Sequence, residues 1–342
     1  MSSKLDELCK QLNKNAKEEI ITLGLNGFNY QRIPFTSPRM NYCTFGGIPV
    51  GKITEFYGEE HGGKTTSALD IVANYQQMPD ARAVLYVDAE NTLDADWARK
   101  LGVDVDNMYI LQPKSQSAEN IFQAICDFVD SGEVGLWVLD SLGVLMSQQE
   151  YDKTMEDKTY GGIAKPLTLF SKKIEMLMQK HKCTGIGINQ EREDLNSTWG
   201  GTTTPGGKAW KHVCSVRLRF SRGKFIDEKG NELTRSAESP AGNIVMMSMT
   251  KNKTCPAVAR VGFYTLTYAD GIDYIKDLID VAIRFDFVQK AGAWYNLIDF
   301  ETGEIIKKLQ GMQSVKEYLK VEENIEYLKS LEKQIDYAIN NR

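Results

Sequence analysis

A short glycine-rich segment constrains the fold of this chain more than any other feature. Residues 56–66 read FYGEEHGGKTT, and the part GEEHGGKT fits the spacing G-x-x-x-x-G-K-[ST]. An apolar run, ITEFY, leads into it, and a helix-like run, TTSALDIVANYQQM, overlaps its end. A strand, a glycine-rich loop and a helix in this order predict a phosphate cradle, because the loop N–H groups and the helix N-terminus point at the same anion.

The spacing assigns chemistry to individual residues of this phosphate loop. Lys64 is placed to meet the β and γ phosphates, and the Thr65 hydroxyl is placed to bind Mg²⁺. Thr66 is better explained as an ordinary helical residue. The alternative, a chance Lys-Thr pair after a glycine-rich turn, is disfavoured by the flanking strand and helix. The predicted nucleotide contacts are Gly58, Glu59, Glu60, His61, Gly62, Gly63, Lys64, Thr65 and Thr66.

Strand-like and helix-like runs alternate through the following 130 or so residues, roughly the length of one α/β domain. AVLYVD, LWVLD and TGIGIN are typical of buried strands, and SAENIFQAICDFVDS and AKPLTLFSKKIEMLMQKH are typical of helices. This alternation predicts an α/β fold with a mainly parallel sheet covered by helices on both faces. Further strands follow at SVRLRF and NIVMMSM, and residues 26–50 are predicted to form a connector.

Charge and cysteine usage limit the class of protein. The formal net charge is 41 − 46 = −5, so contact with nucleic acid would need a local basic patch. Such a patch exists in residues 207–235, which hold eight Lys or Arg against three acids. The six cysteines are scattered, which disfavours a disulfide framework or a zinc site and favours a reducing, cytoplasmic setting. We expect no signal peptide and no membrane-spanning helix.

Acidic residues follow two of the predicted strands. Asp140 closes LWVLD, and together with the phosphate loop this position predicts a contact to Mg²⁺; the alternative is an acid that caps a helix. Asp88 and Glu90 follow AVLYVD, and either carboxylate could deprotonate an attacking water or be a solvated acid at a strand end.

The first 20 residues carry an apolar stripe at helical spacing, formed by Leu5, Leu8, Leu12, Ala16 and Ile20. The pattern predicts a helix that packs either on its own domain or on a neighbouring subunit, and it does not distinguish the two.

Several motifs together resemble the bacterial RecA recombinases. They are EFYGEEHGGKTT, VDAENTLDADWARKLGVDVDN, LWVLDS, GIGINQ, GGKAWKHVCSVRLR, TKNKTCPA and FVQKAGAWY, in matching order from about residue 45 to residue 295. The resemblance implies a recombinase that uses ATP and Mg²⁺, forms helical filaments on single-stranded DNA, and exchanges strands with homologous double-stranded DNA. Divergence from the family pattern suggests a phage or mobile-element origin.

The resemblance also assigns roles around the nucleotide. It implies that Glu90 activates the attacking water and that Asp94 and Trp97 flank the adenine. It implies that Gln190 senses the γ-phosphate. Lys251 and Lys253 fall where a neighbouring subunit reaches across to the triphosphate; without the resemblance they would be a solvated basic turn.

Two loops carry the DNA contacts that the resemblance implies, one near residues 150–162 and one near residues 191–208. Tyr160 stands where relatives usually have Met, so it could stack on a base instead of wedging between bases. A flexible surface loop without a ligand is the alternative for such Gly- and Thr-rich sequence. The implied DNA-binding residues are Tyr160, Gly161, Gly162, Arg192, Leu195, Trp199, Gly206, Gly207, Lys208 and Lys211.

We therefore predict three regions. Residues 1–34 form a polymerisation helix and connector, residues 35–272 the ATPase core, and residues 273–342 a small α+β domain. The last region is a candidate entry site for duplex DNA, with Lys307, Lys308 and Lys316 as weak candidates for contacts. The alternatives are a ring-shaped helicase, which would form closed rings, and a DNA-binding mediator, which would lack DNA-stimulated ATP hydrolysis.

Overall fold

The structure is a computed structural model, and it describes residues 3–17, 21, 30–154, 162–193, 201–234, 236–255 and 261–341. The chain divides into two compact units, Met1–Gln31 and Arg32–Arg342. None of the helices in the described ranges is long and apolar enough to cross a membrane.

The helices cover a wide range of lengths. They are α1 (Ser3–Ala16), α2 (Pro38–Thr44), α3 (Lys64–Gln76), α4 (Ala95–Lys100), α5 (Ala118–Asp130), α6 (Gln148–Tyr151), α7 (Ala164–His181), α8 (Gly207–Val213), α9 (Tyr274–Arg284), α10 (Gly311–Lys320) and α11 (Ile325–Asn340).

The strands alternate with these helices through the larger unit. They are β1 (Arg32–Ile33), β2 (Ile48–Pro49), β3 (Ile53–Gly58), β4 (Ala83–Asp88), β5 (Met108–Leu111), β6 (Val134–Asp140), β7 (Thr184–Gln190), β8 (Arg192–Glu193), β9 (Thr202–Thr203), β10 (Val216–Ile226), β11 (Glu232–Leu233), β12 (Gly242–Asn252), β13 (Val261–Thr267), β14 (Gly271–Ile272), β15 (Val288–Ala291), β16 (Trp294–Ile298) and β17 (Ile305–Gln310).

One large sheet organises the second unit. Its strand order is β14-β13-β12-β10-β3-β7-β6-β4-β5, with β11 paired to β10. The strands from β10 to β5 are parallel, whereas β12, β13 and β14 continue the sheet in antiparallel pairs. The predicted fold class, a mainly parallel sheet covered by helices, is confirmed.

Helices cover both faces of the sheet. Strand β6 is buried along its whole length, as expected for a strand that has helices on either side. On one face α3 packs over β3, β4 and β6, and on the other α5 and α7 pack over Trp137 and its neighbours. The carboxyl ends of β3, β6 and β7 therefore meet at one edge, where ligands of such sheets bind.

The end of the chain builds a smaller hydrophobic cluster. Strands β15, β16 and β17 form an antiparallel sheet, and α9, α10 and α11 contribute the apolar side chains that pack with it. Lys307 and Lys308 lie on β17, and Lys316 on α10 forms an ion pair with Asp273.

Two local predictions need correction. The segment predicted as a connector contains β1, α2 and β2 in its described part, because Ser37 caps α2 and Pro38 occupies its first turn, where a missing N–H costs nothing. Strand β5 was not predicted, because it is four residues long and its two central residues are exposed.

The segment 223–242 contains a hairpin between β10 and β11.

The first unit shows α1 with its apolar stripe on the surface. Leu5, Leu8 and Leu12 are 61%, 48% and 36% exposed. Ile20, the last member of the predicted stripe, lies outside the described residues.

Candidate functional site

A cavity of about 600 Å³ opens at the carboxyl edge of the parallel strands. It gathers residues that are far apart in the chain, from the phosphate loop, from the ends of β6 and β7, and from β10, β12 and β13 with the turn that follows. The residues that line it are Glu60, His61, Gly62, Gly63, Lys64, Thr65, Thr66, Glu90, Trp97, Asp140, Ser141, Ile188, Gln190, Arg222, Asn243, Val245, Leu266 and Tyr268.

Backbone geometry explains two of the glycines in the phosphate loop. Gly58 has φ +144°, and a Cβ there would lie 1.9 Å from the carbonyl oxygen of Phe220. Gly63 has φ +89° at the N-cap of α3, and a Cβ there would lie 2.8 Å from the Val245 side chain. A side chain at either position would therefore displace the loop from the sheet that supports it.

Lys64 lies in the first turn of α3 and is buried against its own loop. Its ammonium donates to the carbonyl oxygens of Gly58 at 3.2 Å and Glu59 at 2.5 Å. Burial lowers the pKa of Lys64, and the nearby carboxylates of Asp140 and Glu90 oppose that shift. This cation therefore lies at the wall of the cavity, held by two carbonyl oxygens of the phosphate loop.

Thr65 and Asp140 meet at the floor of the cavity. The Thr65 hydroxyl donates to the Asp140 carboxylate at 2.8 Å, and the Tyr86 hydroxyl donates to the same oxygen at 2.8 Å. Burial raises the pKa of Asp140 to about 6, and these two hydrogen bonds hold it below what burial alone would give. Burying an ionised carboxylate is unfavourable, and a cation bound beside Asp140 would offset that free-energy cost.

The donor set at this point suits Mg²⁺. A hydroxyl and one carboxylate supply only oxygen, and Mg²⁺ commonly binds through one or two protein oxygens while it keeps waters and phosphate oxygens. Among the described residues there is no group of three or more His, Cys, Asp or Glu that would suggest a metal cage of another type.

The structure separates the two acids that follow β4. Asp88 is buried, and its carboxylate accepts hydrogen bonds from Thr92 N, Leu93 N and the Gln112 amide. These contacts stabilise the turn after β4, so the structure gives Asp88 a structural role.

Glu90, by contrast, lies on the cavity wall. Its carboxylate accepts from the Ser141 hydroxyl at 2.5 Å and from the Gln190 amide at 3.2 Å. Glu90 and Gln190, one hundred residues apart in sequence, are thus brought into direct contact beside the phosphate loop.

Asp94 and Trp97 occupy different positions. Trp97 lines the cavity, with the Lys100 ammonium 5.7 Å from its ring. The Asp94 carboxylate caps α4 by accepting from Asp96 N at 2.9 Å and Trp97 N at 3.0 Å. Asp94 thus fixes the start of the helix that presents Trp97.

Seven cavity residues were missed by sequence reasoning: Ser141, Ile188, Arg222, Asn243, Val245, Leu266 and Tyr268. Five of them, Arg222, Asn243, Val245, Leu266 and Tyr268, come from β10, β12 and β13 with the turn that follows. No local motif marks them, because the pairing of β10 with β3 and of β12 with β10 brings them to the site.

Lys251 and Lys253 do not belong to the lining of this cavity. The Lys251 ammonium donates to the carbonyl oxygens of Lys211 and His212, and the Lys253 ammonium donates to His212 O at 2.9 Å. Both cations therefore lie at the C-terminal end of α8, where exposed carbonyls and the helix dipole favour positive charge.

The predicted DNA-binding residues divide into two groups. Tyr160, Gly161, Leu195 and Trp199 lie outside the described residues. The described ones are Gly162, Arg192, Gly206, Gly207, Lys208 and Lys211.

Most of the described group surrounds a short two-stranded stem. Arg192 is on β8, which pairs with β9, and it donates to Gly143 O at 2.8 Å. Gly206 is the N-cap of α8 and Gly207 its first residue. Lys208 is exposed, and Lys211 donates to Thr203 on β9 at 3.0 Å.

The basic patch is weaker than its composition predicts. Arg217 forms an ion pair with the buried Glu55, and Arg219 forms one with Glu191, both acids outside residues 207–235. Exposed cations such as Lys208 and Arg222 remain available on this surface.

Comparison with known proteins covers nearly the whole chain. The family model for the RecA N-terminal domain matches residues 3–273, and that for the RecA C-terminal domain matches residues 276–340. Protein RecA of Fusobacterium nucleatum is 34% identical over 316 residues, which are 92% of this chain and 78% of the relative. Protein RecA of Staphylococcus carnosus is 35% identical over 322 residues, covering 92% and 85%. Protein RecA of Clostridium beijerinckii is 37% identical over 297 residues, covering 86% and 76%.

Proposed function

The chain belongs to the RecA family, and from this premise we propose that it binds ATP with Mg²⁺ and assembles on single-stranded DNA to exchange strands with a homologous duplex. It is a recombinase and a DNA-dependent ATPase, as its family membership implies. One observation supports the nucleotide assignment. The cavity at the phosphate loop is lined by five of the predicted site residues, Lys64, Thr65, Glu90, Asp140 and Gln190.

In this proposal the phosphate loop binds the triphosphate and the floor of the cavity holds the metal. Loop N–H groups and Lys64 would neutralise the β and γ phosphates, and Thr65 and Asp140 would hold Mg²⁺. The bound metal supplies positive charge to the phosphate oxygens during cleavage. Trp97 offers its ring face to the adenine, and the α4 cap at Asp94 fixes that ring.

Glu90 is the proposed base for hydrolysis. The water oxygen forms a bond to the γ-phosphorus, the bond from that phosphorus to the β–γ bridging oxygen breaks, and Glu90 accepts the proton that the water loses. Glu90 is preferred to Asp88 because the Asp88 carboxylate is already held by three hydrogen bonds. Gln190, bonded to Glu90, lies where it can respond to the γ-phosphate.

Completion of the site by a neighbouring copy is part of the proposal. Lys251 and Lys253 are directed at the C-terminal end of α8 and not into their own cavity, so a contribution to catalysis requires another subunit's triphosphate. The exposed stripe of Leu5, Leu8 and Leu12 is the proposed polymerisation surface, because burying such apolar area in a subunit contact is favourable.

DNA is proposed to contact the surface around the β8–β9 stem. Exposed Lys208 supplies charge for the phosphate backbone, and Tyr160, Leu195 and Trp199 are the proposed base contacts. The small domain of residues 273–342 stays a proposed entry site for the duplex.

The test is ATP hydrolysis with and without single-stranded DNA, combined with electron microscopy of the assemblies. Stimulation of hydrolysis by DNA together with open helical filaments is expected. Closed rings would favour a helicase, and absence of stimulated hydrolysis despite DNA binding would favour a non-hydrolysing mediator.

A further inference from the structure

The carboxylate of Glu191 connects three parts of the molecule that the function requires to act together. It accepts from Arg219 Nε at 2.8 Å and Arg219 Nη2 at 2.9 Å, a bidentate pair. It also accepts from the Thr202 hydroxyl at 3.0 Å. Glu191 is 6% exposed and Arg219 is 39% exposed, so the pair is shielded from water on the carboxylate side.

Each partner of Glu191 belongs to a different element. Thr202 begins β9, so the Glu191 carboxylate joins the two ends of the segment that contains residues 194–200. Arg219 lies on β10 opposite Tyr57, next to the pair of Phe220 with Gly58. The carboxylate therefore fastens the β8–β9 stem to the strand that supports the phosphate loop.

A second contact links Glu191 to the nucleotide cavity. Glu191 N donates to Gly58 O at 3.1 Å, and Lys64 donates to that same carbonyl oxygen. Glu191 also follows Gln190 directly, whose amide contacts Glu90. Any displacement of Lys64, Gly58 or Gln190 by a triphosphate therefore acts on the residue that carries the ion pair.

Charge gives the pair a second role. The Glu191 carboxylate is close enough to Lys64 to oppose the lowering of that pKa by burial. Glu191 adjoins the phosphate loop through its N–H bond to Gly58 O, so its carboxylate repels an incoming triphosphate unless a cation neutralises it. Arg219 is that cation, and its pKa is raised by its hydrogen bonds to Glu191.

We infer that Glu191 and Arg219 form a positioning clasp that couples nucleotide binding to the β8–β9 stem and shields the triphosphate from the Glu191 charge. This inference rests on the proposed function, since the stem flanks the proposed DNA contacts. The two residues position other groups and do not touch the reacting atoms.

The clasp predicts an unusual pattern among three single variants. Glu191→Gln and Arg219→Gln both break the pair, so both should reduce the stimulation of ATP hydrolysis by single-stranded DNA by about tenfold, a typical effect for residues that couple two sites. Their effects on nucleotide affinity should differ in sign, because only Arg219→Gln leaves an uncompensated carboxylate near the phosphates.

We expect Arg219→Gln to weaken binding of a fluorescent ATP analogue, measured without DNA, by about fivefold at low salt. Glu191→Gln removes the carboxylate and leaves the Arg219 charge uncompensated, so it should bind the analogue more tightly than the parent. Arg219→Lys keeps the charge but loses the two-pronged geometry, so it should retain nucleotide affinity while part of the DNA stimulation is lost. Glu232→Gln is the matched control and should change neither quantity, because it breaks an exposed ion pair with Lys224, which lies on β10 like Arg219.

The outcomes separate this inference from the proposed function. If the parent chain shows no DNA-stimulated hydrolysis, the proposed function fails, while the opposite effects on nucleotide affinity still decide the charge-shielding part of the clasp. If Glu191→Gln and Arg219→Gln weaken nucleotide binding equally, or if neither changes DNA stimulation in an active parent, the clasp is refuted. Thermal unfolding of each variant identifies any loss that comes from misfolding.

Discussion

Asp277 offers a quantitative test of the packing between α2 and α9. This residue lies in the first turn of α9 and is 0% exposed. Neither of its carboxylate oxygens has a hydrogen-bond partner of good geometry within the described part of the chain. Burial raises the pKa of Asp277 to about 8, although Ser37 and the Arg39 charge lower it somewhat.

The sign of the effect on stability follows from these two pKa values. In the unfolded chain Asp277 loses its proton near pH 3.8, whereas in the folded chain it keeps the proton up to about pH 8. The folded state therefore binds more protons than the unfolded state in this window, and the free energy of unfolding falls as pH rises. The loss is about 1.4 kcal/mol per pH unit, or about 3 kcal/mol between pH 5 and pH 7.5.

Asp277→Asn removes this titration while it keeps the shape of the side chain. We expect the variant to gain stability over the parent as pH rises, with the difference growing by about 3 kcal/mol from pH 5 to pH 7.5. In thermal unfolding this corresponds to a relative rise in Tm of roughly 5 °C. The measurement is a pH series of urea and thermal unfolding on parent and variant, without nucleotide or DNA.

A neighbouring acid provides the control. Asp280 forms an ion pair with Arg39 at 2.7 Å, so Asp280→Asn should lower stability and should show no gain as pH rises. If Asp277→Asn and the parent gave parallel stability curves from pH 5 to pH 7.5, Asp277 would be ionised in the folded chain and the reasoning would be refuted.

Three further predictions concern the nucleotide site. Lys64→Ala should abolish ATP turnover in a colorimetric phosphate assay, because it removes the cation that faces the phosphates. Lys172 is an exposed lysine on α7, so Lys172→Ala should leave turnover unchanged in the same assay. Near-normal turnover of Lys64→Ala would refute the site. Glu90→Gln should keep binding of the fluorescent ATP analogue and lower single-turnover hydrolysis by at least about a hundredfold, because an amide cannot accept the proton of water. If binding and hydrolysis fell together, Glu90 would be structural. A mixture of Lys64→Ala chains with Lys251→Ala/Lys253→Ala chains should regain some DNA-dependent ATPase activity. A Lys64→Ala subunit can supply its intact Lys251 and Lys253 to a neighbour whose phosphate loop is intact. A co-assembled mixture that stays inactive would show that Lys251 and Lys253 act within one chain or not at all.

The sequence was sufficient for the parts of the fold that local pattern controls. The phosphate loop, the strands β3, β4, β6 and β7, and the helices α5 and α7 were predicted because apolar runs and glycine spacing identify them directly. Family resemblance added Gln190 and Trp97 and preferred Glu90 to Asp88, and the structure places Glu90, Gln190 and Trp97 together in one cavity.

The rest depended on long-range pairing. Tyr268 and Asn243 reach the cavity through the antiparallel strands β12 and β13, which carry no motif for a nucleotide. The neutralisation of Arg219 by Glu191 joins residues 28 positions apart, so counting charges in one segment overstated the basic patch. The three hydrogen bonds that the Asp88 carboxylate accepts likewise favour Glu90 as the proposed base, and no local pattern after β4 distinguishes the two acids.

ATP binding at the phosphate loop is proposed to drive strand exchange. The most direct measurement combines a labelled single strand with a homologous duplex and follows the exchanged product over time, with ATP, without nucleotide, and with the Lys64→Ala chain. Product that forms only with ATP and the parent chain, and only with a homologous duplex, is the predicted result. Equal product without nucleotide, or no product from a parent chain that forms filaments and hydrolyses ATP on DNA, would contradict the claim.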